Sequence, residues 1–431
     1  MLNTVAQQFQ IFAALRFSQF RLYWIGLLAQ VSGQMVMNVT MGWLAYELSG
    51  SPVFVGNVTL LLAIPPLTIG LFGGVLADRL DQRRIVATAQ TIAAVGMTTL
   101  AWLTLSGNVE RWHLMLFALL VGTVQSMDMP SRQALYPRLI PDRSHLPNAV
   151  ALNAMTWQIV RLVGPALAGF IIADSVRGAG TTFLVSTAGF LTMVALVSRV
   201  RVMVPQVASR GSMLTNLREG GRYVWSTPAL RSLTLMTYVT AFAGMGYLYV
   251  LPVFVGPEVL DLGSGSLGLL WSAGGIGSFF GVLTTPLVLR RFRPGRVMLT
   301  EGLAFGLALL AFSFTRDVTT AFAALIVVGL TSLAFMISVE VMVQSLVSDA
   351  LRGRAMSIFQ MSWSLPPLGA AVLNFLAGIV GAPGAIAIGA GVVLVNIALT
   401  ALMVGTVRNL GAAPRHEAVA SAKPAPAEPA G

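Results

Sequence analysis

The chain reads as an all-α membrane protein with twelve spans arranged as two six-helix halves. Three observations predict this. Of its 431 residues 56% are hydrophobic and 10% are Asp, Glu, Lys or Arg, against roughly 25% charged in a soluble domain. Apolar windows of about 20 residues, enough to cross a hydrocarbon core of ~30 Å, recur up to Gly405. The chain also matches itself at an offset of 207 residues.

The spans fall at 21–47, 53–77, 85–105, 113–136, 147–173 and 181–199, then at 230–255, 265–289, 297–315, 319–346, 355–380 and 384–407. In lipid a backbone must satisfy its own hydrogen bonds, and these windows far exceed the ~10 residues of a barrel strand, so each is predicted helical. The first twenty residues lack a cleavable apolar core, so the first span is expected to insert and stay. It carries Gln30, Gln34 and Asn38 at four-residue spacing, one face of a helix and a candidate cavity wall. Span four carries Asp128 beside Pro130, and span five carries Arg161 near its middle, followed by Gly164-Pro165. The segment 205–229 is polar and basic; Ser212 is suited to cap a short amphipathic helix with Leu214, Leu217 and Val224 on one side. Glu340 lies in span ten, and the Ala- and Pro-rich stretch after Leu410 reads as disordered. The expected organisation is therefore 1–204, a linker 205–229, 230–408 and a tail 409–431.

A net charge of +11 would suggest nucleic acid in a soluble protein, but here the charges follow topology. With a cytoplasmic N-terminus, 23 of 27 Lys and Arg lie inside, only Arg111, Arg177 and Arg316 lie outside, and Arg161 is within a span. That asymmetry predicts both termini in the cytoplasm. The chain has no cysteine, no GK[ST] phosphate loop, no HExxH, and no metal spacing among His113, His145 and His416. ATP drive, hydrolytic enzyme chemistry, a metal or other cofactor, and nucleic-acid binding are accordingly not expected.

In the repeat, Gly74-Val75-Leu76 falls on Gly281-Val282-Leu283, Arg83-Arg84 on Arg290-Arg291, Val121-Gly122 on Val328-Gly329 and Asp142 on Asp349. Residues 74–142 give sixteen identities in sixty-nine without a gap. Two halves in the same orientation are the parallel-repeat plan of secondary transporters, which bind substrate near the midplane between halves. Ionisable residues deep in such a bundle are expensive and mark function, which singles out Asp128, Arg161 and Glu340 for proton coupling or an ion pair. A hairpin turning near residue 143 brings position 128 to the depth of about 158, so Asp128 is expected to reach Arg161. Glu47 and Glu301, near span ends, read as interfacial. Tyr238, Tyr247, Tyr249, Trp271 and Trp363 are aromatic candidates for a cavity wall or an interface belt.

The segment from Gly74 to Arg84, with Asp78, Arg79 and Arg83, resembles the signature loop of the major facilitator superfamily. The resemblance implies that Gly74 permits close helix approach while Asp78, Arg79, Arg83 and Arg84 form a charge cluster that helps hold one access state. Where the family has a second glycine and a basic residue, this chain has Asp81 and Gln82, and the repeat copy replaces Asp78 and Arg79 by Thr285 and Pro286. The same resemblance offers Arg79 as a rival partner for Asp128. The strings YELSGSP (46–52), FGGVLADRLDQRR (72–84), MDMPSRQALYPRLIP (127–141), LPNAVALN (146–153), RLVGPALAG (161–169) and LRGRAMS (351–357) look like the bacterial branch that includes the enterobactin exporter and macrolide efflux proteins. Gly164, Pro165 and Gly169 partly match the antiporter motif of the superfamily. The resemblance implies a secondary transporter of the bacterial inner membrane that exports a small organic molecule in exchange for protons by alternating access. An uptake permease of the same fold, or a non-transporting sensor or assembly partner, remains open. The partners implied are a small-molecule substrate, protons and the bilayer; oligomeric state is beyond the sequence, and a monomer is one open reading.

Overall fold

A computed structural model describes residues 12–70, 80–172, 175–204, 213–257, 259–348 and 351–403. All regular structure among them is helical. The long helices are α1 (Ser18–Ser49), α2 (Pro52–Thr68), α3 (Gln82–Leu105), α4 (Arg111–Leu135), α5 (Leu146–Ile172) and α6 (Val176–Val197). After α7 (Met213–Ser226) come α8 (Pro228–Ala243), the short α9 (Leu251–Val255), α10 (Ser264–Arg291), α11 (Pro294–Ser313), α12 (Val318–Leu346), α13 (Arg352–Gln360) and α14 (Leu365–Met403).

The boundaries follow local chemistry. Gly50 closes α1 at φ +59°, where a side chain would be strained, and Pro52 opens α2 at a position that needs no N–H donor. Asp81, Ser175 and Asp317 cap α3, α6 and α12 by accepting backbone N–H bonds from Arg83, Gly178 and Thr320. Gly381, at φ +75°, breaks α14 into two helices joined by a tight turn. Among the described residues, eight stretches have the length and apolarity to cross a bilayer. Phe170, Ile379 and Leu402 stand about four-fifths exposed on the outer surface, the placement expected where lipid is the solvent.

The spans predicted at 230–255 and 355–380 are interrupted within the described residues. The span predicted at 230–255 ends as α-helix at Ala243, passes through a 3-10 turn at Met245–Tyr249 and resumes as α9. Gly244 and Gly246 sit against Phe305 and the backbone of Ala370, approaches that leave no room for a Cβ. The span predicted at 355–380 is interrupted at Met361–Ser364, just before Pro366-Pro367, where two backbone donors are missing.

α1 packs on α5 and α6, α3 on α4 and α6, and α2 on α4; in the C-terminal group α12 packs on α10 and α11, and α14 on α8 and α11. Gly122 of α4 would set a Cβ 2.6 Å from the Leu62 carbonyl of α2, and its repeat partner Gly329 of α12 one 2.1 Å from the Gly274 carbonyl of α10. The two glycines therefore serve the same close crossing in each group. Between the groups, α5 lies along α10 and α2 along α14.

α7 packs on α13, with Arg354 Nη1 2.7 Å from Glu219 Oε2 and Gly220 against the Arg354 backbone. Val224 is buried as the amphipathic pattern implies; Ser212, most of the signature loop and the tail beyond 403 lie outside the described residues.

Candidate functional site

A cavity of about 320 Å³ lies between the two groups of helices. Its wall draws Gln34 and Asn38 from α1, Gln125 from α4, Trp157 and Arg161 from α5, Tyr247 and Tyr249 from the 3-10 turn, Trp271 from α10 and Trp363 from the second interruption. The breaks thus have a consequence for the site: loosened helix turns carry three of its aromatic rings inward. Gln30, expected on the same wall, is buried behind it and donates to Gln34 Oε1 at 3.2 Å. Four residues turn a helix by more than one revolution, about 40° of drift per step, so Gln30 has rotated away from the face that Asn38 presents. Tyr238 also points elsewhere, donating its hydroxyl to the Ile358 carbonyl at 2.6 Å. Gln125 and Trp157 were not foreseen. Their one available signal is position, since each falls one helical turn from Asp128 or Arg161.

Arg161 is held by the crossing of α5 on α10. Pro165 has no N–H to bond the Arg161 carbonyl one turn before it, and that carbonyl stands 2.5 Å from where a Cβ on Gly275 would be. The Ala166 N–H reaches across to Ser272 Oγ at 3.1 Å. Gly164 makes room for Met35 of α1, and Gly169 meets Gly268 and the Ser264 carbonyl. Pro165 and Gly169 of the antiporter-like motif therefore bring the backbones of α5 and α10 together across the two groups, while Gly164 seats α5 on α1. Further out, Gly42 meets Pro252, Gly256 meets Tyr46, Gly56 meets the Ala371 carbonyl and Gly378 meets Val53. All of these approaches lie between the level of Arg161 and the bundle end bearing Gly50 and Gly381.

The expected Asp128–Arg161 ion pair is not formed. Asp128 Oδ2 lies 2.6 Å from Arg132 Nε on the same helix, with both side chains buried. A partner at i+4 shares the face of Asp128 and reaches it without any tertiary alignment, whereas Arg161 faces the cavity, where no carboxylate lines the wall among the described residues. The rival partner Arg79 lies outside the described residues. Glu340, partly buried on α12, accepts from Gln344 at 3.2 Å and does not reach the cavity. Glu301, expected at the interface, instead accepts a hydrogen bond from Ser338 across the α11–α12 contact.

Of the signature-loop residues, Gly74, Asp78 and Arg79 lie outside the described residues. Arg83 binds Asp81 through two nitrogens, at 2.7 and 3.2 Å, and donates to the Val200 carbonyl at 2.9 Å. The hydrogen bonds and charge of Arg83 hold the Asp81 carboxyl below the ordinary carboxylate range. Asp81, which departs from the family pattern, is thus the cap of α3 and the anchor of Arg83. Exposed Arg84 reaches the same carboxylate only at 4.0 Å. Nearby, Arg138 donates to Gln82 and to the Val204 carbonyl, tying α3 to the chain leaving α6.

A helical bundle with a central cavity between two similarly built groups is the architecture of the major facilitator superfamily. Residues 9–424 match the family model described as transmembrane secretion effector, and the chain belongs to that family; it is a multi-pass membrane transporter and not an enzyme. It is similar to the staphyloferrin A transporter of Staphylococcus aureus, 25% identical over 350 residues covering 81% of this chain and 87% of that one. It is also similar to the enterobactin exporter EntS of Escherichia coli, 24% identical over 390 residues covering 88% of each. Among solved structures, the nucleoside transporter NupG shares the fold with a TM-score of 0.70, 18% identity, and coverage of 90% of this chain and 99% of that one.

Proposed function

We propose that the protein exports a small organic molecule, of the siderophore, drug or metabolite kind, across a bacterial inner membrane in exchange for protons. In this reading its twelve spans form two parallel six-helix halves, 1–204 and 230–408, joined by the linker 205–229, with the 409–431 tail and both termini cytoplasmic. The observation that carries it is the central cavity: a polar and aromatic chamber at the seam of the two groups, sealed toward one bundle end by glycine-mediated contacts. With the arginine-rich end cytoplasmic, the sealed end is periplasmic and the chamber faces inward, ready to load from the cell. Export is favoured over uptake by the exporter among its relatives.

Alternating access follows if the outer contacts open as the inner ends close. Gly164, Pro165 and Gly169 are the flexible part of that seam, and Arg83, Arg84 and the signature loop hold one of the two states. The proton-carrying groups are carboxyls outside the cavity, with Asp128 and Glu340 the leading candidates and Glu301 joining them.

The test is transport into inverted membrane vesicles loaded with the protein, using a panel of siderophores, dyes and drugs. Uptake into inverted vesicles that collapses with a protonophore supports the proposal. Transport that persists after both the pH gradient and the membrane potential are dissipated overturns proton coupling, and movement only in the opposite direction overturns export.

A further inference from the structure

We infer that the central cavity selects an organic anion with an aromatic or other broad apolar body, with Arg161 engaging its negative end. This deepens the transport reading above and rests on it for the claim that what binds is carried.

The guanidinium of arginine keeps its charge at any physiological pH. In most buried settings a carboxylate answers it, but none does so here among the described residues. Arg161 makes no ion pair among the described residues, and the titratable groups acting on it are the hydroxyls of Tyr247 and Tyr249, neutral at neutral pH. Asp128, the acid best placed in the sequence to answer it, is engaged by Arg132. Among the described residues no Asp or Glu lines the cavity. The chamber therefore presents one uncompensated positive charge inside low-dielectric walls, which attracts anions and repels cations.

The rest of the wall determines what kind of anion fits. Trp157, Trp271 and Trp363 join the two tyrosines around Arg161, a lining suited to stacking against a flat apolar body. The buried indole N–H of Trp271 has no acceptor among the described residues. The volume of about 320 Å³ lies at the lower end of the range for small organic ligands, ~300–1,000 Å³, and is far larger than one inorganic ion requires. An organic cation meets the same aromatic surface but also an unscreened like charge.

A series that changes charge at constant shape tests this on the full-length protein in lipid nanodiscs. The probes are 3-phenylpropanoate, its neutral amide, 3-phenylpropylammonium, and acetate as a ringless anion. Three of the eight tryptophans line the cavity, so indole emission reports binding. The carboxylate is expected to bind at least about tenfold tighter than the amide, a difference of ~1.4 kcal/mol, with ammonium and acetate weaker still. Arg161→Gln should abolish the preference for the carboxylate over the amide, with a cooperative thermal unfolding transition showing that the variant is folded. Arg161→Lys should keep a preference for the carboxylate. Equal or tighter binding of the amide or the ammonium, an unaltered carboxylate affinity in Arg161→Gln, or no binding of the carboxylate by the parent overturns the inference. Because the readout is binding, a failed export assay with this preference intact removes the transport reading alone, whereas export without the preference removes this inference alone.

Discussion

Asp128 and Arg132 form a buried ion pair one turn apart on α4, with 2.6 Å between Oδ2 and Nε, and Pro130 between them. Tyr23 of α1, also buried, lies within electrostatic reach of both. Removing one partner leaves the other as an uncompensated charge. Asp128→Ala is therefore expected to lower stability by about 3–5 kcal/mol, and the double variant Asp128→Ala/Arg132→Met to recover much of that loss. Thermal unfolding in detergent measures both. Asp128→Ala and Arg161→Gln should add to within about 0.5 kcal/mol, as independent sites do; strong coupling between them would show that the pair forms in another state.

The repeat-related glycines offer a steric test. A Cβ at Gly122 or Gly329 meets a backbone carbonyl that has no rotamer to change, so alanine at either should cost roughly 1–3 kcal/mol. Gly221 of α7 meets nothing, and Gly221→Ala should stabilise by about 0.4–1 kcal/mol through the unfolded chain. Comparable melting temperatures for all three variants would refute the assignment of Gly122 and Gly329 as crossing points.

The sealed end can be opened on purpose. Gly169→Val pushes side-chain carbon against the Ser264 carbonyl and Gly268, so the contact of α5 with α10 should part there. The chain has no cysteine, which allows a single Ser272→Cys to be labelled without background. Faster reaction with a thiol reagent applied from the side bearing Gly50 is expected in Gly169→Val than in its absence. Equal rates would mean that this contact does not seal the cavity.

Asp81 gives a pH signature outside the membrane-spanning helices. Its carboxyl is held below the ordinary range chiefly by the Arg83 hydrogen bond, and a depressed folded pKa favours the folded state wherever the carboxyl is ionised. That contribution is complete above the unfolded value of about 3.9 and is lost as pH falls through the lower folded value. The acid limb of stability should therefore be shallower in Asp81→Asn than in the parent. Superimposable profiles of melting temperature against pH below about 5 would contradict it.

The sequence by itself determined the solvent and the helical class, because apolar length is a property of each segment regardless of its neighbours. It also exposed the internal repeat and the superfamily, since the loop from Gly74 to Arg84 and the strings around it are contiguous. It identified Arg161 as a candidate through the rarity of ionisable groups within spans, and offered Tyr247 and Trp363 among the aromatic groups for a cavity wall or an interface belt. What it left open was azimuth and partner. Four-residue spacing places Gln30, Gln34 and Asn38 along one side of α1 with about 40° of drift per step, and the packing of α1 against α5 and α6 decides which of them reaches the chamber. Depth matching brought Asp128 to the level of Arg161, yet a side chain at i+4 was already within reach of the aspartate. Only the tertiary structure turned Arg161 into the chamber without an ion-pair partner among the described residues, because the rotation of α5 is set by Gly164 meeting the Met35 side chain of α1 and by the Pro165 carbonyl and Gly169 meeting the backbone of α10.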